Sequence, residues 1–575
     1  MFPKKISKVD KQDLATKPSW TNRIVSGEQP WLTGILFWVV IFVLYLPAAA
    51  AGRVGDFPGW VHFLRSVHFI DYLNRSESGI ASMYQFTQVV TYCFFAMFGP
   101  NAWMWHLLFV TLHALNALLL FLFFRRLFVN SAVRNAGMVS FTGALLFCIC
   151  PHVSEVVVWE PAFHYLFGVL LMLVVLHCAQ QYLMTGATKY AWHGGVVFFL
   201  STYSLEVFYL TPLFTITLAL YYFFVLHAEK GKFVGAIKGL VLPQVLFFSL
   251  NLMLLRMRYH GSIAHIETSA VQLNVALFSK AAKYVFHILF FGRYFPEGLK
   301  KSIYHFFESA AGLSAFYGLF VLVVAYIGAR FKKFTTEGKV GVLLLVWTVL
   351  AIGLIMPLWF PERGLVILDR YLYLPCGIIY VFLALLLCRM LPKYVFVGVM
   401  AVYVLINLRF THKVNAYWQQ SAHIVNNLVY HFPNDPTKKV LLLNLPECLD
   451  GVQMIGSRTE GEFGMMYDAL MPEKLTNHVY DVEAYYLQSP GDGAHVMVTD
   501  DSTATVTLNQ WGTWWLFYGF GATSYENEDF RVDMRDCGHY YVVVLKHAAD
   551  QYVLLYQVGD QWKKVDWGKK GVEQW

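Results

Sequence analysis

From residue 31 to about residue 410 the chain alternates long apolar runs with short polar segments. The first run, residues 31–51, has the length of the ~20 helical residues that cross a hydrocarbon core of roughly 30 Å. Comparable runs follow at 102–124, 137–158, 162–184, 190–206, 208–226, 234–255, 310–329, 339–358, 372–388 and 393–409. The pattern therefore predicts about eleven transmembrane helices. Residues 53–100, with a partly amphipathic stretch at 80–98, lie outside the first span. In residues 272–295, apolar positions are mixed with Lys280, Lys283 and His287, which predicts an outer interfacial or re-entrant helix.

After residue 410 the period changes. Residues 411–432 read as an amphipathic helix leaving the membrane, with Trp418 as an interfacial anchor. KVLLLNL (439–445) is a compact apolar run that predicts a buried strand. AHVMV, TATVTL, WWLFYGF, HYYVVVL and YVLLYQV follow at strand spacing between turn residues. The expected fold is a polytopic α-helical membrane protein with a C-terminal β-rich α+β soluble domain. Its parts are a tail (1–30), a transmembrane domain (31–410) and the β-rich domain (411–575).

Composition agrees with that division. Hydrophobic residues make up 57% of the chain and charged residues only 14%, a membrane composition rather than that of several soluble domains. The formal charge of +7 does not indicate nucleic acid, because Lys and Arg cluster in short loops between apolar runs. Their distribution sets the expected topology, with residues 1–30 cytoplasmic and the C-terminal domain on the far side.

Under this topology four acidic residues share the extracytoplasmic face. Asp56 follows the first span, Glu155 and Glu206 end the third and fifth, and Asp369 stands beside Arg370 where the tenth begins. Ionisable groups at the ends of many spans are candidates for a site, whereas each alone reads as an ordinary helix end. Arg53 and His152 lie on the same face. His152, His164 and Glu155 are close in sequence, but their spacing matches no closed zinc pattern. A divalent metal is thus compatible with the sequence without being supported by it. His106 and His113, on the second span, read as core histidines, and Tyr371 and Tyr373 as an aromatic belt.

DRYLYLP (369–375) resembles the (E/D)RYLYLPS signature of the transmembrane, TPR-repeat-bearing O-mannosyltransferases and their bacterial relatives, within the GT-C superfamily. Other segments fall in matching order. GDF (55–57) resembles the acidic motif of that family's first outer loop, HLLFVTLHALNALLLFLFFRRLF (106–128) its second span, CPHVSE (150–155) its HPxHxE motif and SLE (204–206) its SKE motif. The departures are Cys150 and Val153 in place of the two motif histidines, Leu205 for the lysine, Cys376 for the final serine, one acid in the first loop, and no TPR repeats.

The resemblance implies a GT-C fold and a glycosyltransferase. Such an enzyme moves a sugar from a polyprenyl-phosphate donor to an acceptor hydroxyl, foremost a Ser or Thr of a protein and alternatively a lipid or glycan, with inversion, at the outer face of a bacterial inner membrane. It also implies Asp56 as base. Glu155, Glu206, Arg370, Asp369, Arg53 and His152 would bind substrate, with Arg370 suited to phosphate because a guanidinium forms paired bonds to its oxygens. Two other classes compete. A flippase for a lipid-linked sugar predicts charges near span midpoints and paired broken helices, and a receptor or assembly factor would need only one anchor.

Overall fold

The computed structural model describes residues 28–66, 85–204, 209–258, 275–356, 369–455, 461–508, 513–516, 524–536 and 540–575. Among these, eight helices are long and apolar enough to cross a membrane, or nine if the bent pair Ala136–Cys148 and Pro151–Val158 forms one span. Many of their apolar side chains face outward. Along Ala310–Arg330 only Gly312 is buried, and Leu319 and Leu322 are more than three-fifths exposed. A bilayer accounts for such a surface, because lipid chains are as apolar as the side chains that meet them. Long apolar helices with outward-facing apolar side chains make this an integral membrane protein.

Two of the expected spans are shorter than the hydropathy suggests. Thr188–Ser201 and Thr211–Phe224 have 14 residues each, a rise of about 21 Å and too little for the hydrocarbon core. Residues 205–208 between them, including Glu206, lie outside the described residues. The expected interfacial segment forms the helix Val275–Phe290 and the single turn Gly292–Tyr294, followed by the amphipathic helix Glu297–Glu308.

Across residue 410 the backbone stays helical. Lys393–Tyr430 is one helix of 38 residues, about 57 Å long and nearly twice the bilayer core. After Pro392 the segment contains no proline and only Gly398, so nothing stops the helix where hydropathy falls. Trp418, expected as an interfacial anchor, is instead buried.

Beyond this helix the chain is β-rich. Lys439–Leu442 lies parallel to both Tyr552–Val558 and His478–Asp481, with Gln561–Lys564 antiparallel at the edge. Leu445–Leu449 pairs in parallel with Glu483–Leu487 in a second sheet of four strands. Pro446 is accommodated there where the register shifts between Pro446 and Cys448. Ala494–Val498, Thr503–Leu508, Tyr540–Leu545 and Phe530–Asp536 form the centre of a six-stranded antiparallel sheet. One continuous apolar core joins the helical bundle to these sheets.

Candidate functional site

The first outer loop is positioned from both sides. Trp159 Nε1 donates to the Val54 carbonyl at 2.9 Å, and the Glu160 N–H donates to the Gly52 carbonyl at 3.3 Å. On the other side the Gly55 N–H donates to the Met454 carbonyl at 2.5 Å, and Gly55 bridges Ile455 in parallel. Gly55 has φ +61°, and its missing Cβ would meet Gln453 at 3.1 Å, so glycine suits both the turn and the close approach. Asp56 sits between this bridge and the helix Phe57–Ser66, exposed, and its carbonyl accepts from the Trp60 N–H at 3.1 Å.

Glu155 occupies the helical turn Ser154–Val158 after the bend in the third apolar run. The Arg370 backbone N–H donates to its Oε2 at 2.8 Å, and Arg370 Nη1 donates to its Oε1 at 2.9 Å. Both side chains are largely buried. The guanidinium lies over Trp159 and Tyr371, with Cζ 5.1 and 5.3 Å from the ring centroids.

Asp369, one residue earlier, faces a different set. Its Oδ2 accepts from Arg293 Nη1 at 2.5 Å, and its Oδ1 lies 3.0 Å from His287 Nε2 and 3.7 Å from His152 Nδ1. Burial, with His152 beside it, pushes the His287 imidazole down to about 4 and keeps it neutral. Arg293 Nη2 also donates to the Asp450 carbonyl, tying this cluster to the β-rich unit. Burial opposes the Arg293 charge, but the Asp369 carboxylate outweighs it and holds the guanidinium above its ordinary value.

The structure therefore brings together Glu155, Asp369, Arg370 and His152, and Trp159 links this group to the Asp56 loop by holding the Val54 carbonyl while its ring lies under Arg370. Arg53 lies at the same end of the bundle, its Nε 3.6 Å from Glu160 Oε1 and its Cζ 5.5 Å from the Phe57 ring centroid. Glu160 and Trp159 were missed by the sequence reading, which treated residues 159–161 as a connection. In the sequence His287 reads only as part of an interfacial segment, and Arg293 as one of several outer cations with nothing to rank it among them.

The two stretches that carry the resemblance most specifically bond to each other. His113 Nδ1 lies 2.8 Å from the Tyr373 hydroxyl, and Asn116 Nδ2 donates to the same oxygen at 3.1 Å. His113 is thus a partnered core histidine, as expected. Tyr373 is a buried anchor rather than a belt residue. A scan of protein-family models and a search of curated proteins return no match to this chain.

Proposed function

We propose that the chain is a GT-C-type integral-membrane glycosyltransferase that moves a sugar from a polyprenyl-phosphate donor to an acceptor hydroxyl, of a protein or glycan, with inversion. The carrying observation is the paired engagement of Glu155 by Arg370, joined through Trp159 to the Asp56 loop, from segments that each resemble the family's motifs in order. Asp56 is exposed and carries no tight ion pair among the described residues, as a base for an incoming hydroxyl requires.

In the proposed reaction Asp56 takes the proton of the acceptor hydroxyl. That oxygen attacks the anomeric carbon from the face opposite the phosphate, and the bond from this carbon to the phosphate oxygen breaks. The leaving polyprenyl phosphate gains negative charge, which the guanidinium of Arg370 is suited to stabilise. Glu155 fixes Arg370, and the aromatic faces of Trp159 and Tyr371 orient it. Contacts of the first loop with Met454 and of Arg293 with Asp450 favour a role for the β-rich unit in shaping the acceptor side. In this reading the site faces the periplasm of a bacterial inner membrane.

The test is transfer from a radiolabelled polyprenyl-phosphate sugar to endogenous acceptors by membranes containing the protein. Asp56→Asn should abolish transfer while leaving insertion and the melting temperature unchanged. Wild-type turnover by that variant removes Asp56 from the reaction, and the absence of transfer by the wild type from any polyprenyl-phosphate sugar removes the enzyme class.

A further inference from the structure

Three side chains from separate segments meet beside the Arg370–Glu155 pair without taking part in it. His152, on the turn Pro151–Val153, is fully buried, and neither of its ring nitrogens has a hydrogen-bond partner. A buried imidazole left this way bears its whole desolvation cost. Its Nδ1 stands 3.7 Å from Asp369 Oδ1, too far for a hydrogen bond. His287 Nε2 stands 3.0 Å from that same oxygen. The ring centroids of the two histidines are 4.5 Å apart, and one donor atom from each of the three residues lies within 4.8 Å of the others.

The two separations to Asp369 suit a shared ion. Ligands at about 2.0–2.1 Å from a tetrahedral zinc stand about 3.3 Å from one another. The observed 3.0 and 3.7 Å fall on either side of that value. The second oxygen of Asp369 is held by Arg293 at 2.5 Å, the kind of outer hydrogen bond that orients a ligating carboxylate. Two imidazoles and one carboxylate form a donor set suited to zinc and its neighbours rather than to calcium or magnesium.

We propose that His152, His287 and Asp369 bind one divalent cation of the zinc class, through one nitrogen of each imidazole and Oδ1 of Asp369. The remaining position takes a non-protein oxygen. A dication here, with Asp369 and Arg293 cancelling each other, leaves two positive charges in a buried place, so that oxygen is anionic. The site stands whether or not the chain transfers sugar, because its readout is metal content.

Untagged full-length protein in detergent is stripped with a chelator, loaded with one equivalent of zinc, desalted and assayed by inductively coupled plasma mass spectrometry. The wild type should retain about one zinc per chain and gain thermal stability from it. His152→Ala and His287→Ala should each lower retention about tenfold or more and lose the zinc-dependent gain in melting temperature. His423→Ala, which removes an exposed imidazole of the long helix, should retain zinc like the wild type. Cobalt in place of zinc should give the intense visible bands of a four-coordinate site. Wild-type protein that retains no zinc and shows no shift in melting temperature overturns the site, a result that needs no variant to fold. Retention undiminished in both histidine variants overturns it equally.

Discussion

Glu155 accepts two hydrogen bonds from Arg370, a residue 215 positions later, one from its backbone N–H and one from its guanidinium. The pairing joins the bend of one apolar run to the first turn of another, so the carboxylate both orients a cation and closes the fold. Removing one partner of a buried pair leaves the other charge uncompensated, at a cost of about 3–5 kcal/mol. Arg370→Ala should therefore lower the melting temperature sharply and abolish transfer. Glu155→Gln retains an acceptor for the Arg370 N–H and should fold better than Arg370→Ala. Thermal melts in detergent alongside the transfer assay check both, and an Arg370→Ala melt equal to wild type defeats the argument.

Tyr373 holds two helices together through one hydroxyl, which meets His113 and Asn116. Tyr373→Phe keeps the packed ring and removes only that oxygen, leaving polar groups of His113 and Asn116 buried. The expected loss is about 1–3 kcal/mol, read as a lower midpoint of thermal unfolding with unchanged insertion. Asn116→Ala combined with Tyr373→Phe should cost less than the sum of the two single changes, because both act on one bond. Strict additivity in that cycle contradicts the bond.

Gly52 has a sharper constraint. A Cβ added there would lie 2.1 Å from the Val158 carbonyl oxygen, which is backbone and cannot rotate away. Gly52→Ala should pull the first outer loop off residues 158–160, separating Arg53 from Glu160 and displacing Asp56. Transfer should fall by about tenfold or more, since a shift of about 1 Å in a positioning element costs on the order of a hundredfold. Gly59→Ala, at a glycine with open space around it, serves as the matched control and should retain activity.

Much of this arrangement was legible in residues 31–410 because hydropathy marks where each run ends, and ionisable residues at those ends are conspicuous. Asp56, Glu155, Asp369 and Arg370 were found that way, and the structure brings the last three into direct contact or adjacency. Glu160 escaped notice because a single acid at the start of an apolar run carries no periodic signal, and only the fold reveals Arg53 as its neighbour. His287 reads as part of an interfacial segment and Arg293 as one outer cation among several, since no local pattern connects either with a carboxylate 76 to 82 residues away. The strands Lys439–Leu442, Ala494–Val498, Thr503–Leu508, Tyr540–Leu545 and Tyr552–Val558 were legible as short apolar or alternating runs, whereas His478–Asp481, Glu483–Leu487 and Phe530–Asp536, whose apolar positions are interrupted by acids, were not. Helix was legible on both sides of residue 410, and Lys393–Tyr430 joins the two into one because no residue between them breaks it.

The β-rich unit should show acid sensitivity centred on Asp529. Burial alone would raise its pKa, but the Lys439 ammonium at 2.7 and 2.8 Å and the hydroxyls of Tyr480 and Tyr552 outweigh it, and the carboxyl is held down at about 2. The ordinary value of about 3.9 applies to the unfolded chain. Between these values the unfolded state binds more protons than the native one, so stability rises with pH. The contribution is fully present above about pH 4 and is lost as pH falls through about 2, amounting to about 2 kcal/mol in all. Asp529→Asn removes the titrating group, so the melting temperature of the variant should depend less on pH between 4 and 2 than that of the wild type. The variant should also be less stable at neutral pH, where Lys439 has lost its anionic partner. Circular dichroism melts of both proteins in detergent at pH 7, 4, 3 and 2 measure the difference. Parallel curves across that window would show that Asp529 does not link the strand Lys439–Leu442 to protonation.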